Sequence, residues 1–208
     1  MKKNKKEKIG VQSAKNKNRS VVFLLDETGS MYSCMTDTIG GFNSFIDKQL
    51  AENSDMSFSL TLFNSEKIEK RYVNVPIKDV EKLSNENYNP NHSTPLWDAI
   101  GKTILELKKN NEVLFIILTD GYENSSKEFS SSEIKSLIVE KEKEGWQFLF
   151  LGASLENFND AHLLGIKNMS AYSKENTAKS FNAIGDTVTS YYRSGKLSYV
   201  KNIDGDKK

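Results

Sequence analysis

Cysteine, histidine and proline are scarce in this 208-residue chain, and each shortage removes a class of protein. The single cysteine, Cys34, can close no internal disulfide and cannot build a thiolate zinc site by itself. A disulfide-held secreted scaffold is therefore not expected, and a reducing, cytoplasmic setting is. Three prolines and 12 glycines are too few for a collagen-like or low-complexity chain. Long apolar runs are also missing. Val21–Leu25 and Val113–Leu118 fall far short of the roughly 20 residues that cross a bilayer, so no membrane span is expected. The lysine-rich start leads into no apolar signal core, which argues against export by that route. The two histidines, His92 and His162, stand apart, and no Gly-x-Ser-x-Gly or Cys/His pairing suggests a covalent hydrolase.

The residues that are present suffice for one domain. At this length, 37% hydrophobic residues can bury a core without covalent help. The net charge of +1 hides an uneven spread. Eight basic residues, Lys2 to Arg19, face the single acid Glu7, so the remainder is mildly acidic. Residues 1–19 have little apolar surface and no periodicity, which predicts a disordered basic tail whose only attraction to nucleic acid is weak and electrostatic. Residues 20–195 are expected to form the domain, and 196–208 a polar C-terminal tail.

From Ser20 onward strand-like and helix-like segments alternate. Val21–Leu25 and Val113–Leu118 are apolar enough for strands buried on both faces. Phe58, Leu60 and Leu62 alternate with polar residues, as in a half-buried strand, and Ile68–Val75 reads as another. Met35 to Leu50 repeats at helical spacing. A second helix is expected with Thr94 as its N-cap and Pro95 at its first position. Ser130 with Glu133 forms a capping box, and Gly145 ends that helix. Next come a strand from Trp146 to Leu151, a short helix, a weak strand near 166–172 and a last helix through Phe181 and Tyr191. This alternation predicts an α/β fold, doubly wound, with a mostly parallel sheet between helices. In such sheets the ligand site lies beyond the carboxyl ends of central strands.

The first of the two most apolar strands runs directly into Asp26-Glu27-Thr28-Gly29-Ser30, and the second into Thr119-Asp120-Gly121. Thr94 lies between them in sequence. If those strands are neighbours, Asp26, Thr28, Ser30, Thr94 and Asp120 converge. Two carboxylates with three hydroxyls make an all-oxygen set that suits a hard cation, Mg²⁺ or Mn²⁺, with Ca²⁺ also compatible, better than zinc.

Asp26-x-Thr28-x-Ser30, then Thr94, then Asp120 resembles the metal-ion-dependent adhesion site (MIDAS) of von Willebrand factor A (vWA) domains. Thr28 stands where the usual motif has its first serine and keeps the hydroxyl. The resemblance extends from Ser20 to about Arg193 through Thr94-Pro-Leu-Trp-Asp-Ala-Ile100 and Leu118-Thr-Asp-Gly121, and looks like the stand-alone bacterial or phage type. It implies a Rossmann-like sheet with central order 3-2-1-4-5 and a Mg²⁺ at its top. Thr28 and Ser30 would ligate directly, with Asp26, Thr94 and Asp120 bound directly or through water. It further implies a protein partner whose Asp or Glu carboxylate completes the shell, and no enzyme activity.

The competing expectation is a haloacid dehalogenase-like phosphotransferase with Asp26 as nucleophile and Thr119 holding the phosphoryl group. That chemistry wants a second Asp two residues on, where Thr28 stands. Gly101-Lys102-Thr103 imitates the end of a phosphate-binding loop, but Leu96 replaces its first glycine and the segment reads as mid-helix. Tyr32, Tyr88 and Tyr122 are expected around the site as a rim for a partner. Glu27 is read as a solvating loop residue, and Cys34 as a packed thiol.

Overall fold

A computed structural model of the chain describes residues 19–53, 55–107, 112–153, 157–172 and 177–197. Six strands form one sheet: β1 (Arg19–Asp26), β2 (Ser57–Phe63), β3 (Ile68–Pro76), β4 (Glu112–Thr119), β5 (Gln147–Gly152) and β6 (Asn168–Ala171). Their order is β3-β2-β1-β4-β5-β6. All neighbours are parallel except β2 and β3, which form an antiparallel pair. The expected central order is therefore present, with β6 added at one edge. Among the described residues five α-helices cover the faces: α1 (Met35–Glu52), α2 (Leu96–Glu106), α3 (Ser131–Lys143), α4 (Phe158–Leu163) and α5 (Thr177–Ser194).

The continuous apolar runs are sorted by the pleat. Val21, Phe23 and Leu25 of β1, with Leu114, Ile116 and Leu118 of β4, face the α1–α5 side. Val22 and Leu24, with Val113, Phe115 and Ile117, face the side covered by α2, α3 and α4. Burial on both faces is why these strands do not alternate. On the first face Phe23 stacks on Phe181 of α5 at 6.1 Å and meets Phe42 of α1 edge-on. The two helices approach so closely that a Cβ on Gly41 would lie 2.3 Å from the Phe181 ring.

Several sequence expectations are corrected. β2 is buried on both faces, not one, because Thr61 lies under α2, its hydroxyl 3.4 Å from that of Thr103, and Ser59 accepts the Asn74 amide. Arg19, expected in the tail, opens β1 and binds Glu112 at 2.5 Å and the Tyr192 carbonyl at 2.7 Å. Residues 1–18 of that tail lie outside the described residues. Leu197, expected in the C-terminal tail, is held to β5 through Gln147 and packs on the core. Residues 198–208 of that tail are also outside the described part. Finally, Thr94 is not the cap of α2. That helix starts at Leu96 with Pro95 in the cap position and no side-chain cap of its own.

Candidate metal centre

β1 and β4 lie side by side, with Leu25 opposite Leu118, so Asp26 and the Thr119–Asp120 turn emerge together at the top of the sheet. After Asp26 the chain turns into a short 3-10 helix, Gly29–Cys34, which turns Ser30 back toward Asp120. The third contributor arrives along the loop before α2. Its residues are pinned to the first loop by Asn91 N–H on the Glu27 carbonyl at 3.0 Å and Gly29 N–H on the His92 carbonyl at 2.9 Å.

The five expected residues are thereby brought together. Asp26 Oδ1 accepts the Thr28 amide at 2.7 Å, and Oδ2 accepts the Thr119 hydroxyl at 2.5 Å. Ser30 Oγ donates to Asp120 Oδ1 at 2.5 Å and lies 3.2 Å from Thr28 Oγ1. Thr94 Oγ1 donates to Thr28 Oγ1 at 3.3 Å. Because Thr94 is released from capping α2, its hydroxyl is available here. The contact chain Thr94–Thr28–Ser30–Asp120 spans three loops and reaches the surface at the exposed Ser30.

Although they lie at strand ends, the two carboxylates are buried. Asp26 has no exposed surface and Asp120 is 9% exposed. Burial pushes the Asp26 carboxyl up to about 7, against the bonds from Thr119 and Thr28, and the charge of Asp120 raises it further.

The donor set fits a hard divalent cation. It offers two carboxylates and three hydroxyls without nitrogen or sulfur, and among the described residues no three His, Cys, Asp or Glu side chains gather as a softer metal would want. Space is provided by Gly121, where a Cβ would stand 2.7 Å from Thr94 Oγ1 and 3.4 Å from Ser30 Oγ.

Supporting residues were missed in the sequence. Tyr88 is wholly buried, not part of a rim, and its hydroxyl donates to the Asp26 carbonyl at 2.7 Å. Burial holds that phenol well above its ordinary range, so it remains a donor. Glu27 is buried too, 1% exposed, accepting the Asn89 amide at 2.7 Å and lying 3.3 Å from Lys67 Nζ. Asn157, at the start of α4, donates to the carbonyls of both Asp120 and Gly121 at 3.3 Å. No local pattern announces these roles, since each partner lies tens of residues away; only Asn and Tyr in turn-rich segments hinted at them. Tyr32 and Tyr122 do remain exposed beside the site. The phosphate-loop imitation lies inside α2, with the Thr103 hydroxyl bonded to the Ala99 carbonyl and Lys102 paired with Glu128.

The sheet order and helical layers are those of the von Willebrand factor A fold. Solved structures with this fold match the chain at low identity. They include a von Willebrand factor type A protein from Catenulispora acidiphila (12% identity, TM-score 0.56, covering 84% of this chain and 43% of that one). The pilus adhesin SpaC from Lactobacillus rhamnosus GG matches at 11% identity and TM-score 0.60, over 85% of this chain and 30% of that one. The manganese-loaded TRAP protein of Plasmodium vivax matches at 16% and 0.54, over 77% and 71%. The chain thus spans less than half the length of the first two. No family model and no curated protein matches the sequence.

Proposed function

We propose that this protein is a metal-dependent protein-binding module and not an enzyme. The observation that carries the proposal is the convergence of Asp26, Thr28, Ser30, Thr94 and Asp120 around the Gly121 cradle. Thr28, Ser30 and Thr94 would present hydroxyl oxygens, and Asp26 and Asp120 the negative charge, directly or through water. A bound Mg²⁺, or Mn²⁺ or Ca²⁺ in its place, would supply a positive charge that this set leaves incompletely neutralised. A partner's Asp or Glu is the complementary group, and exposed Tyr32 and Tyr122 would flank it. The manganese in TRAP and the adhesive role of SpaC support the two halves of this reading.

We read Asp26 as a ligand and not as a nucleophile, a reading its burial and hydrogen bonds support. It is fully buried, both its oxygens accept hydrogen bonds from the protein, and the Thr119 hydroxyl that a phosphotransferase would need is committed to it. We propose a cytoplasmic setting, on the lone buried cysteine, and take residues 19–197 as the working domain.

The decisive experiment is an affinity pull-down with Mg²⁺ against EDTA, using the intact chain and an Asp26→Ala variant. A partner retained with Mg²⁺, and lost with EDTA or in the variant, is expected. Retention indifferent to both would reject the proposal.

A further inference from the structure

Thr94 and Asp120 belong to different loops, and a single ion can touch both only if their spacing is fixed. The residues just after Asp120 fix it. Asn124 Oδ1 accepts the Thr94 amide at 2.8 Å, and the Asn124 amide donates to the Thr94 carbonyl at 3.0 Å, so residue 94 is held from both sides. Glu123 takes the next step along the same loop. Its Oε2 accepts the Trp97 amide at 2.9 Å and the Ser126 hydroxyl at 2.6 Å. Its Oε1 accepts the amides of Ser125 and Ser126 at 2.9 and 2.7 Å. One carboxylate therefore caps α2 in place of the missing local cap and folds its own loop, and an anion at a helix N-terminus is favoured by the helix dipole.

We propose that Glu123 and Asn124 form a clasp that presets the Thr94–Asp120 spacing of the metal centre. Both are positioning residues, acting on the ion only through Thr94 and Asp120. The inference rests on the metal-binding reading of the site.

The same loop contains its own control. Asp98 accepts the amides of Lys127, Glu128 and Phe129 at 2.8 to 2.9 Å, holding the loop to α2 further along, without bonding to the backbone of residues 94 or 120. If the clasp contributed loop stability alone, removing Asp98 and removing the clasp would affect the site alike. Metal size gives a second handle. Mg²⁺ demands a tight, near-octahedral shell, whereas Ca²⁺ accepts longer and less regular ones. A loosened clasp should penalise Mg²⁺ more.

The test uses the full chain as wild type, Asn124→Ala, Glu123→Gln and Asp98→Asn. Mg²⁺ and Ca²⁺ affinities are measured by titration calorimetry, and unfolding midpoints in EDTA. Mg²⁺ affinity is expected to fall about 10- to 100-fold in the two clasp variants, the range typical of lost outer-shell partners, with a smaller loss for Ca²⁺. Asp98→Asn is expected to lower the midpoint while Mg²⁺ affinity stays within about twofold, by the same comparison. Should Glu123→Gln fail to fold, Asn124→Ala decides alone, because Asn124 is exposed and its truncation opens no cavity. Unchanged Mg²⁺ affinity in the clasp variants of a protein that binds Mg²⁺ would overturn the clasp and leave the metal site standing. Equal losses in Asp98→Asn and Asn124→Ala would overturn it in favour of loop stability. A wild type that binds no divalent cation would remove the site and the clasp together.

Discussion

At Asp26 the metal-free protein carries a proton up to near neutrality, because burial lifts the carboxyl to about 7. An unfolded chain releases the same proton near pH 4. Between those values the folded state binds more protons, so this group's contribution to stability is present at low pH and is lost as pH rises toward 7. In EDTA, the unfolding free energy of wild type minus that of Asp26→Asn should therefore decline from pH 5 to 7 and level off by pH 8. The slope is at most about 1.4 kcal/mol per pH unit and the total on the order of a few kcal/mol. Urea unfolding at four pH values checks this, and a flat difference would contradict it. Gly121 supplies a second prediction. Its backbone is not in the left-handed region, so alanine is tolerated there, but the new Cβ would displace the Thr94 hydroxyl. Gly121→Ala is expected to reduce Mg²⁺ affinity by at least about tenfold while shifting the unfolding midpoint little, the signature of a disturbed ligand in an intact fold. Calorimetry with a parallel melt separates these. The convergence of both aspartates and all three hydroxyls was legible in the sequence, because they lie within five residues after the two apolar runs or just before a proline. The burial of Glu27 and Tyr88 was not legible, since it depends on Lys67 and the Asp26 carbonyl arriving from elsewhere in the chain.

Among the elements, strands and long helices followed their patterns closely, and the failures share a cause. Alternation in β2 reported polarity correctly but exposure wrongly, because α2 covers the polar face and satisfies Thr61 there. The start of α2 was misplaced because its cap comes from Glu123 and Ser126, which no local pattern reveals. The capping box of α3, by contrast, lies entirely within Ser130–Glu133 and was readable outright. The contact between α1 and α5 gives the prediction at this scale. Gly41→Ala drives a methyl into the Phe181 ring, and overpacking of this kind costs about 1–3 kcal/mol. A lower denaturant midpoint with unchanged Mg²⁺ affinity is expected, since the atoms the new methyl meets first belong to Phe181 and not to the candidate site. A fall in affinity matching the fall in stability would show the two to be coupled.

For the whole molecule, the mostly parallel sheet followed from the alternation of elements and its strand order from the resemblance, whereas the extra edge strand β6 was read only weakly because it has four residues. The basic segment before β1 adds a testable charge effect. Removing residues 1–18 should leave Mg²⁺-dependent protein binding intact. Any nucleic-acid binding by the full chain should weaken steeply with salt and vanish on that deletion, as phosphate attraction does. Gel-shift titrations at two salt concentrations with both chains test this. Sequence-selective binding that survived the deletion would move nucleic-acid recognition into the domain.

The stacking of Phe23 on Phe181 also has a temporal side. Among the described elements β1 comes first in the chain and lies at the centre of the sheet, yet one of its faces is covered by α5, which comes last. On the ribosome, Phe23, Phe42 and Phe58 can cluster early, but they keep a wet flank until α5 has emerged. Completion of the core is therefore a late event in the life of each new molecule. The loops that carry Asp26, Thr28, Ser30, Thr94 and Asp120 all precede α5 in the chain, so they can form before the layer opposite has been sealed.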